Sequence, residues 1–250
     1  MPIVYSVHTY AMSTPRITLD PDTLIRRYGD FFGLTDYWFS ALASIILFAS
    51  SVYANYMASA YATTAASNSV TDLILDHVPV YDVDGYFVYG AVALIAFILL
   101  LLIIRPKRIA FTLYSLALFY FIRAGFITLT HIGPYPVHTA IEFTSSIGIF
   151  LSKIFFGDDL FFSGHTGAPF LMALVYWREP ILRYVFLAWS VFLASVVLLG
   201  HIHYSIDVAS AFFITFTIYH IVMWLFPKEY ALFQKDEVQH PLSAPRELIQ

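Results

Sequence analysis

Cysteine is absent from the 250 residues, which excludes a disulfide framework or a thiolate metal centre and leaves the redox compartment unspecified. Charge is scarce as well. Only 12% of the residues are charged, against about 25% in soluble domains, too little polar surface to coat a globule in water. The 13 basic and 17 acidic residues give a net charge of −4 and form no basic block, so nothing points to nucleic acid. The first residues hold no basic stretch leading into an apolar core and a small-residue cleavage site, and they read as a cytoplasmic lead-in rather than a signal peptide. What remains is 59% hydrophobic and 18% aromatic, with a mean hydropathy of +0.72. This is the composition of a membrane protein.

A spanning helix needs roughly 20 mainly apolar residues, because the hydrocarbon core is about 30 Å thick. Such runs predict an all-α protein with six transmembrane helices, at 37–56, 86–104, 109–129, 162–176, 181–199 and 206–226. The apolar stretch 141–156 is broken by Thr144, Ser145, Ser146 and Gly148 and predicts a short re-entrant or interfacial helix. Three parts follow: a cytoplasmic segment 1–35 ending in an interfacial stretch at 24–32, a catalytic membrane domain 36–227, and a polar tail 228–250, loosely attached. Basic residues mark the cytoplasmic side of short loops. Arg105-Pro106-Lys107-Arg108, then Arg178 and Arg183, then Lys228, Lys235 and Arg246 all fall on one side. The opposite side carries Asp72, Asp76, Asp82 and Asp84, a single Lys153, and the turn GHIHYS. Both termini are therefore expected in the cytoplasm and the latter loops outside.

Two blocks on the outer side carry chemistry: GDDLFFSGHTG at the start of the fourth span and GHIHYSIDV at the start of the sixth. His203 and Asp207 are four residues apart, so on a helix they share a face. The carboxylate then holds one imidazole nitrogen and makes the other a better base or nucleophile. Ser163 and Gly164 precede His165 at a helix start, where free N–H groups and the dipole favour phosphate. His165 is placed there to protonate a leaving oxygen. A lone histidine near a membrane interface is ordinarily an interface residue; two histidines and an aspartate at matching ends of two spans indicate function, because ionisable groups at membrane depth are costly.

These residues resemble the signature motifs of the sphingomyelin synthase family, a branch of the lipid phosphate phosphatase (PAP2) superfamily. The first motif, approximately G-D-x-x-x-S-G-H-T, is matched by Ser163 to Thr166, with Asp158 and Asp159 at its G-D pair and Asp159 on its acidic position. The second, H-x-H-Y-T-x-D-V, is matched by His201, His203, Tyr204, Asp207 and Val208, with Ser205 in place of threonine. VTDLILDHVP, with Asp72, Asp76 and Pro79, resembles the family's acidic stretch before its second span, and FIRAGFITLT, with Arg123 and Thr128, resembles its Arg-containing third span. The broader superfamily's K-x6-R-P motif is not recognisable, and the arginine of its third motif falls at Val197.

The resemblance implies a PAP2-like bundle, an exoplasmic site and a ping-pong reaction without cofactor or metal. His203, oriented by Asp207, would attack the head-group phosphorus of phosphatidylcholine or phosphatidylethanolamine and form a phosphohistidine. His165 would protonate the departing diacylglycerol and then deprotonate an acceptor, ceramide or a diacylglycerol-like alcohol. Water as acceptor gives a lipid phosphatase or phospholipase C instead. A transporter with a histidine proton relay is the reading from another class. Among the remaining residues, Arg123 neutralises phosphate or forms a structural ion pair. Asp159 meets the amine of the head group or caps a helix. His201 touches phosphate or lines its loop, and Tyr204 stands beside the substrate. Asp72 and Asp76 read as loop charges on a solvated face. The oligomeric state is not specified.

Overall fold

The computed structural model describes residues 21–33, 35–139 and 160–239. Among them are eight α-helices: α1 (Pro21–Phe32), α2 (Thr35–Ala65), α3 (Asp84–Ile104), α4 (Ile109–Leu129), α5 (Gly164–Val175), α6 (Pro180–Leu199), α7 (Ser205–Leu225) and α8 (Pro227–Gln239), with a 3-10 turn Pro106–Arg108 before α4. Five stretches, containing α2, α3, α4, α6 and α7, are long and apolar enough to cross a bilayer. Their outward residues, among them Ile103, Phe213 and Trp224, are exposed and apolar, which suits a lipid surround and not water. The protein is an integral multi-pass membrane protein.

The fourth expected span is different. α5 has only 12 residues, about 18 Å of helix, and nine of the twelve are buried. A short helix covered by protein over most of its surface needs no lipid-length apolar face, so α5 differs from the five long helices in length and burial. It packs between α6 and α7 and touches α4. The approach is close at Gly167, where a Cβ would stand 2.7 Å from the Phe119 ring and 2.9 Å from the Thr215 hydroxyl. α2 runs nine residues past its expected end, through an Ala/Ser/Thr-rich stretch in which Ala58 packs on Ala124 and Ile127 of α4. Small residues there favour close helix contact more than hydropathy.

The two ends of the bundle are chemically distinct. At the histidine end, the Ser67 N–H donates to the His131 carbonyl, Tyr81 to Leu199, and Thr139 to Gly200, so three connections are tied together. At the other end, Arg108 is fully buried and forms ion pairs with Glu179 and Asp236 (2.8 Å to the latter) beneath the rings of Tyr176 and Phe233. Arg27 and Tyr28 of α1 donate to the last carbonyls of α3. The expected loose tail is, as far as Gln239, a docked helix: α8 holds Phe233 wholly buried and supplies Asp236. Its polar composition hid this, because Asp236 pairs with a buried arginine and not with water. The expected helix at 141–156 lies outside the described residues.

Candidate active site

The start of α7 forms the first wall. The Asp207 Oδ2 accepts the Tyr204 N–H at 3.1 Å, capping the helix, and lies 3.3 Å from His203 Nδ1. One carboxylate oxygen thus fixes both the helix start and the imidazole; the expected pair forms, but with His203 just before the helix rather than on its face. Asp207 is completely buried and His203 is 4% exposed. The other carboxylate oxygen, Oδ1, has no hydrogen-bond partner among the described residues.

The second wall is the start of α5. The Ser163 hydroxyl accepts the Thr166 N–H at 3.4 Å and caps the helix, while the Ser163 N–H donates to the Asp207 carbonyl at 3.0 Å. That bond links the two sequence blocks directly. It brings the His165 and His203 rings to 6.5 Å between centroids, with Phe87 of α3 packed 4.2 Å from the His165 ring. The chain enters this corner through left-handed backbone at Phe161 and Phe162, with φ of 129° and 30°. Such conformations are costly for side-chain-bearing residues and concentrate at functional sites.

Arg123 of α4 lies under the same corner, 4% exposed. Its Nε donates to the Phe162 carbonyl at 3.3 Å and its Nη1 to the Asn55 amide oxygen at 2.9 Å. Gly164 admits it: a Cβ at that position would sit 3.1 Å from Arg123 Nε. His165, Arg123, Gly164 and Asn55 border a cavity of about 50 Å³ whose remaining walls include Ala91, Leu94 and Leu193. It has room for a few atoms next to the histidine, with hydrocarbon on its far side.

Two predicted residues face elsewhere. His201, at φ 53°, directs Nδ1 to the Val137 carbonyl at 3.0 Å and packs its ring edge-on to Tyr135. The Tyr204 hydroxyl donates to the Gly133 carbonyl at 2.9 Å and accepts the Val70 N–H at 3.2 Å. Both bind the loops of the histidine end together. Asp159 lies outside the described residues.

Residues that the sequence reading passed over also take part. Asp72, read there as a solvated loop charge, is 6% exposed, and its Oδ2 accepts both the N–H (2.7 Å) and the hydroxyl (2.8 Å) of Ser205 at the start of α7. Burial works to raise the Asp72 carboxyl, but hydrogen bonds from Leu75, Ser205 and Ile74 outweigh it and hold the group below the usual carboxylate range. Asp76 accepts the Tyr135 hydroxyl at 2.6 Å, a bond that pushes the phenol up to about 12 and keeps it a donor. Asn55 had one available signal, an amide in the middle of an apolar span.

Residues 157–224 match the family described as PAP2 superfamily C-terminal. No curated protein and no solved structure matches the chain.

Proposed function

From a PAP2 superfamily C-terminal domain at 157–224, in a superfamily of membrane lipid phosphatase and phosphotransferase-type enzymes, we propose that this protein moves a phospho-head group between lipids as a sphingomyelin synthase-type phosphotransferase. One observation carries the reading: two histidine rings 6.5 Å apart across a buried corner, one of them held by a buried carboxylate.

With Nδ1 held by Asp207, His203 presents Nε2 to the phosphorus of phosphatidylcholine or phosphatidylethanolamine. The N–P bond forms as the bond from phosphorus to the diacylglycerol oxygen breaks, and His165 gives that oxygen its proton. His165, now neutral, takes the hydroxyl proton of ceramide or a similar alcohol. The alkoxide oxygen attacks phosphorus, the N–P bond breaks and His203 is restored. Arg123, steadied by Asn55 and the Phe162 carbonyl, offsets charge on the phosphoryl oxygens. Ser163 and Gly164 give that group a helix start, and Asp159 is assigned to the amine of the head group. His201 and Tyr204 support the site through its loops. The chain crosses the bilayer six times, α5 completing the fourth passage, with the termini cytoplasmic and the histidines on the extracytoplasmic face.

The test is turnover of head-group-labelled phosphatidylcholine and phosphatidylethanolamine by the purified protein, with and without ceramide. Ceramide-dependent transfer of label, abolished in His203→Ala, is the expected result. Diacylglycerol release that added ceramide leaves unchanged would instead assign hydrolysis, with water as acceptor.

A further inference from the structure

Away from the histidines, at the end of the bundle marked by Arg108, α5, α7 and α8 enclose a cavity of about 240 Å³. Its lining is unlike that of the histidine corner. Four aromatic rings, Trp177, Phe216, Tyr219 and Tyr230, surround it together with Arg178, His220, Gln234 and Glu237. The two charges are placed differently. Glu237 is 6% exposed, and its Oε1 has no hydrogen-bond partner among the described residues. Arg178 lies exposed at the rim. Phe216 of α7 lines the cavity and is itself 51% exposed, on the same helix as the exposed Phe213 and Trp224.

A buried carboxylate with one oxygen left unpaired is costly, and a cation that enters beside it removes the cost. Aromatic faces around the same space suit an alkylammonium, which they attract while excluding water. An arginine at the mouth suits a phosphate. Anion outside and ammonium inside is the charge order of a zwitterionic phospholipid head group whose chains remain in the bilayer.

We propose that this cavity is a second lipid site, which takes the phospho-amine head group of a zwitterionic phospholipid with its ammonium on Glu237 and the rings and its phosphate on Arg178. The site stands apart from the histidines and does not rest on the assignment of their reaction. Its lining includes Phe216, exposed among the apolar residues of α7, which suits a bilayer phospholipid and not a free phosphoamine.

Native mass spectrometry of the full-length protein in detergent tests this, with dioleoyl phosphatidylethanolamine and dioleoyl phosphatidylglycerol added in turn. The wild type is expected to retain one phosphatidylethanolamine in preference to phosphatidylglycerol. Glu237→Gln should narrow that preference about tenfold, and Phe216→Ala, a substitution on the exposed surface, should weaken phosphatidylethanolamine retention in the same direction. Arg178→Gln should weaken retention of both lipids. Lipid held at the histidine site is common to all these variants and cancels in the comparison. An unchanged preference in Glu237→Gln and Phe216→Ala would overturn the proposal. Displacement of the lipid by an equal concentration of soluble glycerophosphoethanolamine would overturn the assignment to a lipid.

Discussion

Asp207 and Asn55 act on the site through other side chains, and they differ in how legible they are. Asp207 sits four residues from His203, within the first turn of α7, whose capped start turns the carboxylate back onto the imidazole. Asn55 is 68 residues from Arg123, and no local pattern joins them. A guanidinium at membrane depth keeps its position only while its donors are engaged, so the Asn55 amide oxygen decides where that charge lies. Asn55→Leu, similar in volume and comfortable in hydrocarbon, should lower phospholipid turnover about tenfold, the loss of roughly 1.4 kcal/mol from a hydrogen bond to a charged group. Head-group release by the purified variant measures it. A wild-type rate at an unchanged melting temperature would remove Asn55 from the site. The same contrast holds for Asp72: its acidity is visible in the chain, but its grip on Ser205 spans 133 residues.

At the scale of elements, hydropathy located the long helices and failed where burial comes from protein. α5 is apolar because it is the centre of the bundle, and α8, though polar, docks because its Asp236 meets Arg108. Neither property follows from a window of sequence. α8 also carries a pH dependence. Burial, the largest influence, raises Glu237 from about 4.5 to about 8. The folded state therefore holds this proton between those values while the unfolded chain has released it, and stability falls as pH rises from about 4.5 through about 8. Glu237→Gln removes the titration. Thermal unfolding in detergent, followed by intrinsic fluorescence from pH 5 to 8.5, should show a midpoint that declines in the wild type more steeply than in the variant. Parallel profiles would contradict the burial of an ionisable Glu237.

For the whole molecule, the proposed orientation is tested by labelling its two ends. The basic residues gave the orientation from the sequence, yet Arg105 and Arg108, two of the three in the second loop, are buried, and Arg108 is paired inside the protein. Their count is therefore an indirect guide. The lack of cysteine makes the experiment clean, because no background thiol has to be removed. Thr71→Cys, in the loop at the histidine end, should react with a membrane-impermeant maleimide in intact cells. Lys107→Cys should react only after the membrane is opened, and the reverse pattern would invert the orientation.

By itself the sequence determined the environment of this protein and the approximate place of its five long helices, and it singled out His165, His203 and Asp207. Composition, length and i,i+4 spacing are local properties, and each is readable within one turn or one span. Tertiary structure alone decided what those residues lean on: the Ser163 N–H on the Asp207 carbonyl, Asn55 on Arg123, Asp72 on Ser205, and α8 on Arg108. These contacts join segments far apart in the chain. Their energy comes from satisfying polar groups that burial has cut off from water, and only the packed bundle fixes which groups those are.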